Sequence, residues 1–363
     1  MERQFVPPTC GDGEEALNQD DKPEHHCTNT EINNHNPTRM YWSPEPRSPG
    51  PLERALFVDD VCSALKLYLW EKRLQACRYG EHIAAEYLPG HEPEEDDGEG
   101  GEARKKGRAC SGSFTVHPFP SPTSGACAYE RGRASAKNAL VFIGGLTTGP
   151  HVKNLAFLDD MLQRSSLSYS LWEFRMRSSY SGFGYSSLAN DVQDTAALVR
   201  YLRGIGKEKV VLMGLSTGCQ ICLEYANSNK DNTPPVKGYI LVSPVSDRES
   251  AFLFMTPEEL ERSVQFATDM IEAGKEDDPM PKKLLPSIFS TPVTAYRWHS
   301  LAAKGGDDDY FSSDLSGSVI SAAFGRVDKP LLILPAGQDE MVPPDVDRSR
   351  FLATLEEQEK TQG

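Results

Sequence analysis

Residues 209–218 read KVVLM followed by GLSTG, and then pass into a segment carrying Ile221, Cys222 and Tyr225. No other feature constrains the fold as tightly. A short continuous apolar run is what a strand buried on both faces of a parallel sheet needs. Gly214-Leu215-Ser216-Thr217-Gly218 fits a sharp strand-to-helix turn that forces the serine into strained backbone angles, with glycines on both sides because side chains there would collide. Ser216 is thereby a candidate nucleophile. The bland alternative is a glycine-rich turn with an incidental serine.

The surrounding pattern repeats the same grammar. Leu140-Val141-Phe142-Ile143 reads as a buried strand, and Leu155, Leu158 and Leu162 form the stripe of a helix. Ser170 to Phe174 reads as the next strand. Ser187 suits a helix cap, with Asp191 and Asp194 near the positive end and Leu188, Val192, Thr195, Val199 and Leu202 on one face. Gly204 is the expected stop. Tyr239 to Val242 and Leu331 to Leu334 supply further strands. Strand and helix in alternation imply an α/β class, a mostly parallel sheet with helices on both faces. Residues 247–325 interrupt the rhythm and are expected to form a lid insertion over the strand ends. Within them Thr256-Pro257-Glu258-Glu259 is a helix start, Leu260, Val264, Ala267 and Ile271 the buried stripe, and Gly274 the end.

This is the layout of an α/β-hydrolase, and it assigns further residues. The Thr217 N–H, at a helix N-terminus, would face a developing oxyanion. The loop Gly144-Gly145-Leu146-Thr147-Thr148-Gly149 would supply the second donor, with Leu146 N–H the candidate. It lacks the lysine and spacing of a phosphate-binding loop. Asp339, just past LLIL, occupies the place of a histidine-orienting acid. Asp247, one strand earlier, is the runner-up, and either could instead cap a helix. The order on this fold is Ser, acid, His, yet no histidine follows His299. The last strand, the closing helix and the catalytic histidine are therefore expected to be missing from this sequence, a loss worth about 10⁶ in turnover. His151 and His299 are weak substitutes, each better read as a polar loop residue. Cys219 and Cys222 have C-x-x-C spacing but lie behind the turn and read as core filler; with no second pair, zinc is not expected. Asp307-Asp308-Asp309 lacks cation-ligand spacing and reads as capping or a solvated loop.

Outside this region, residues 1–55 read as disordered. Leu65, Leu69 and Trp70 suggest an amphipathic helix within 56–80, and residues 81–110 form a charged linker with runs of each sign. The hydrolase domain is expected over 111–363. A net charge of −15 argues against nucleic-acid binding. No signal-peptide pattern, no run of membrane-spanning length and eight scattered cysteines point to a reduced cytoplasmic setting without membrane association. Nothing in the sequence sets the oligomeric state.

Several runs in order, FIGGLTTG, RSSYSGFGYSSLANDV, MGLSTGCQ, SPVSDRE, GGDDDYFSSDL and PLLILPAGQDEMVP, resemble one α/β-hydrolase family. That family is common in fungi, was long catalogued as a domain of unknown function, and includes siderophore esterases. The resemblance spans about residues 111–350. It implies a serine esterase acting on a small-molecule ester, a siderophore ester among the candidates, with Ser216 as nucleophile, Asp339 as acid and no cofactor or metal. Two departures stand out: Leu215 replaces the family's usual histidine before the serine, and the C-terminal histidine segment is absent. The rival class is a catalytically inactive binding protein on the same fold.

Overall fold

The computed structural model describes residues 113–347, apart from short breaks at 153–154, 166, 229–232, 337–338 and 345, together with Ala353. The expected disordered stretch, amphipathic helix and charged linker of residues 1–110 lie outside the described residues.

Seven strands form one sheet. In chain order they are β1 (Thr115–Pro118), β2 (Cys127–Arg131), β3 (Asn138–Ile143), β4 (Tyr169–Phe174), β5 (Lys209–Leu215), β6 (Gly238–Val242) and β7 (Leu331–Leu334). Their spatial order is β1-β2-β4-β3-β5-β6-β7. The five strands from β4 to β7 run parallel, while β2 pairs antiparallel with both β1 and β4. The hairpin β1–β2 was not legible as strands, because TVHP and CAYER are short and only partly apolar.

Side chains alternate between the two faces, as the pleat requires. One face gathers Val141, Ile143, Leu212, Leu241 and Ile333 against helices α2 (Leu188–Gly204), α3 (Gly218–Asn227) and, later in the chain, α7 (Gly317–Phe324). The other face gathers Leu140, Phe142, Val211, Met213 and Ile240 against α1 (Leu155–Arg164). Leu155, Leu158 and Leu162 are buried there, as their spacing predicts.

Helix α2 begins as expected, with Ser187 Oγ accepting the Asn190 N–H. It ends at Gly204, as expected, and Gly206, at φ +91°, provides the left-handed turn that follows. Between β6 and β7 lie α4 (Asp247–Ser250), α5 (Pro257–Glu272), α6 (Ala295–Ala302) and α7. Thr256 caps α5 through a reciprocal box with Glu259. Leu260, Ala267, Trp298 and Phe183 form a separate core that unites α5, α6 and the short 3-10 turn at Tyr180–Gly184. Among the described residues, no helix is long and apolar enough to cross a membrane.

A buried ion pair ties β2 to the turn before β5. Lys207 Nζ lies 2.7 Å from Glu130, donates to Ala136 O and Ser170 Oγ, and sits over the Trp172 ring. Removing one member of such a pair strands the other charge. Lys207→Met should therefore lower unfolding free energy by about 3 kcal/mol in urea denaturation, and adding Glu130→Gln to it should restore much of the loss.

Candidate active site

Parallel sheets of this kind offer a crevice at the carboxyl ends of the strands, where chain connections diverge to the two sides. Here the divergence lies at β3, which has β4 on one side and β5 on the other. Ser216 stands at the end of β5, beside β3.

The serine sits at φ +54°, a left-handed conformation that costs a side-chain-bearing residue on the order of 1–3 kcal/mol. Its neighbours hold it there. Ser216 N–H donates to Val242 O at 3.0 Å, and Cys219 N–H donates to Ser216 O at 2.8 Å. The flanking glycines are required by contact. A Cβ on Gly214 would lie 2.2 Å from Gly218 O, and one on Gly218 would lie 2.3 Å from Ile143 O. Strand β5, helix α3 and the end of β3 thus approach at backbone distance, and Ser216 remains half-buried rather than packed inside.

The loop after β3 lies against the serine. A Cβ on Gly145 would come within 3.0 Å of Ser216 Cβ and 3.4 Å of its Oγ. Gly145 O accepts both the Thr148 N–H and hydroxyl, which closes the turn around Leu146 and Thr147. Farther along, buried Glu173 on β4 accepts the N–H groups of His151 and Val152, at 2.6 and 3.0 Å, and its other oxygen accepts Arg131 Nε. The Leu146 side chain packs on the Trp298 core. Thr217 stands at the N-terminus of α3, where backbone N–H groups have no intrahelical acceptor.

The two candidate acids occupy different settings. Asp339 is half-buried past β7, and its Oδ1 accepts the Met341 N–H at 3.2 Å. It lines a small cavity with Val245, Ser246, Glu249, Phe311 and Met341; Ser216 is not among the lining residues. Asp247, the first residue of α4, is already engaged by the turn itself. Its carboxylate accepts the Thr217 hydroxyl at 3.2 Å and Gln220 Nε2 at 2.9 Å. Both carboxylates lie close enough to the start of α3 to push the Cys219 thiol up, although burial is the larger cause.

Three charged residues behind Asp247 carried no signal in the sequence. Arg297 of α6 is buried and reaches Asp308 at 2.6 Å, and Ser300 Oγ donates to the same oxygen. Burial raises Asp191 and Asp247 to about 7 each, against the opposing pull of Arg297. Within the Asp307–Asp309 run only Asp307 is exposed as expected; Asp308 and Asp309 are buried, and Asp309 faces Arg248 at 3.3 Å. A carboxylate survives burial there because a guanidinium does too. Cys219 and Cys222 are fully buried free thiols, so their C-x-x-C spacing is core packing. His151 packs its ring against Phe114 and Tyr129, and His299 lies on α6. Among the described residues no hydrogen bond joins either imidazole to Ser216.

A family model described as a protein of unknown function, DUF1749, matches residues 108–362. The chain belongs to that family. It is 32% identical over 241 residues to a UPF0613 protein of Schizosaccharomyces pombe, covering 61% of this chain and 74% of the relative. It is 29% identical over 266 residues to the fusarinine C esterase sidJ of Aspergillus fumigatus, covering 60% and 75%. Among solved structures it resembles the siderophore hydrolase EstB from Aspergillus fumigatus, with 27% identity and a TM-score of 0.57 over 70% of this chain and 86% of that one. An α/β-hydrolase-fold protein of unknown function, at 17% identity and TM-score 0.50, shares the fold. The fold is that of an α/β-hydrolase.

Two predictions follow from the packing and the charges. Gly218→Ala must push β3 and α3 apart and should lower stability by about 1–3 kcal/mol in thermal or denaturant melts. For Asp191, a folded value near 7 lies above the ordinary 3.8, so the folded state binds the extra proton between those values. Its contribution to stability is greatest below pH 4 and is lost as pH rises to about 7. Asp191→Asn should accordingly gain melting temperature relative to the parent as pH is raised across that window.

Proposed function

We propose that this protein is a serine hydrolase of carboxylic esters, with Ser216 as the nucleophile. The observation that carries this reading is the Ser216 backbone at φ +54°, held at the bend between β5 and α3 with the Gly145 loop against its hydroxyl. A residue pays for such a conformation only where surrounding structure over-determines it, and such strain gathers at functional sites.

In this reading Ser216 Oγ gives its proton to a base oriented by the acid and attacks the ester carbonyl. The base returns that proton to the departing alcohol, and water, giving a proton to the same base, releases the carboxylic acid from the acyl-enzyme. Negative charge developing on the carbonyl oxygen is met by the N–H groups of Leu146 and Thr217. Asp339, rather than Asp247, is the acid that orients the base, since the Asp247 oxygens are taken by Thr217 and Gln220. The names of the two Aspergillus fumigatus relatives point to siderophore esters as the substrate class. The buried free thiols suit a reducing cytoplasm.

One observation favours a second reading, a non-catalytic binder on this fold. Among the described residues no imidazole is hydrogen-bonded to Ser216, and removing the base from a serine triad costs about 10⁶ in turnover. A fluorophosphonate probe separates the two. Covalent modification mapped to Ser216 by mass spectrometry, and lost in Ser216→Ala, is the outcome expected of the hydrolase. Folded protein that never labels, at any pH or probe concentration, would make it a binder.

A further inference from the structure

The carboxylate of Asp247 has no part in the proposed triad, yet it is bound to the turn that carries the nucleophile. It accepts the hydroxyl of Thr217, the residue after Ser216, and the side-chain amide of Gln220 one turn into α3. Gln220 is fully buried, and its amide also donates to Val245 O, so the start of α3 is tied twice to the segment after β6. Behind Asp247 stands Arg297, brought from α6, the helix whose Trp298 anchors the core on which Leu146 packs. From the structure we infer that Asp247 is a positioning residue, which aims the Thr217 N–H at the oxyanion by holding the start of α3. This inference rests on the reading of Ser216 as nucleophile.

The electrical surroundings of Asp247 are specific. The positive charge of Arg297 on α6 favours its charged form from beyond ion-pair distance, while Asp308, from the loop after α6, opposes that form. Asp191 of α2 feels the same positive charge. From α3 come the Thr217 hydroxyl, the Gln220 amide and the buried Cys219 thiol, on which Asp339 also acts. On its own helix, Arg248 is turned toward Asp309 and Asp314, and Glu249 toward Ser313. Arg297 is paired with Asp308 at 2.6 Å and acts on Asp247 only at longer range, and burial is the largest influence holding Asp247 up at about 7. Ionised Asp247 accepts from both α3 donors at full strength. Protonated, it gives up part of that grip, so the aim of Thr217 should loosen as pH falls through neutrality.

Asp247→Asn and Thr217→Val keep side-chain volume and each break the link from one end. We would measure the second-order rate of fluorophosphonate labelling at Ser216, the melting temperature, and the Thr217 amide resonance across pH 5–9 in the full chain. Expected are a roughly tenfold or larger fall in labelling rate for each single variant, and a double variant no slower than either single, because one interaction is removed by both. The Thr217 amide shift should titrate near pH 7 in the parent and lose that titration in Asp247→Asn. A structural role alone would change the melting temperature but not yield this non-additivity. Additive rate losses, or Asp247→Asn labelling at the parent rate with an unchanged Thr217 titration, would overturn the positioning role while leaving the nucleophile reading intact. A parent that never labels would overturn both.

Discussion

The site depends on backbone meeting backbone without side chains between. Gly214, Gly218 and Gly145 allow β5, α3 and the loop after β3 to close around one residue, and each would meet neighbouring atoms within about van der Waals contact if it carried a Cβ. This closeness gives Ser216 its positive φ, and the Val242 and Cys219 hydrogen bonds keep the conformation from relaxing. Strain of 1–3 kcal/mol is small beside the burial that the two faces of the sheet provide, so the fold can hold it.

Two carboxylates, buried Glu173 and half-buried Asp247, carry this rigidity outward. Glu173 gathers the backbone of His151 and Val152 on one side of the serine, and Asp247 gathers Thr217 and Gln220 on the other. Each offers two acceptor oxygens where a neutral amide would offer one. Glu173 also has a guanidinium in reach, that of Arg131 at 3.0 Å. Buried acids of this kind contribute little net stability. What they contribute is geometry, because several donors converging on one carboxylate permit few alternatives.

How much of this was legible depends on range. The turn, its glycines, the strands β3 to β7 and the α5 capping box are local patterns, and local patterns survive in sequence. Asp247 was legible as a carboxylate near the site, but not as the acceptor of Thr217 and Gln220, since those pairings depend on the register of β5 and β6. Arg297 within Tyr296-Arg297-Trp298-His299 gave no hint of burial, because an arginine on a helix is usually solvated. Asp308 and Asp309 were misread for the same reason: polar composition suggests solvent, and only the fold reveals a buried partner. The strands β1 and β2 escaped because their alternation is short and their exposed face carries Phe114 and Val116.

The placement of Arg297 gives the segment between β6 and β7 a consequence beyond covering the strand ends. Its helix α6 contributes Trp298 to the core under Leu146, and Arg297 to the charge group around Asp247. Leu146 thus leans on one residue of this helix through apolar packing, while Asp247 feels the charge of the next. Any movement of α6 would change both surroundings together. Packed interiors transmit displacement in just this way, by moving neighbours as a unit rather than deforming around them. A ligand that displaced α6 would therefore disturb the packing of Leu146 and the charge group around Asp308 together.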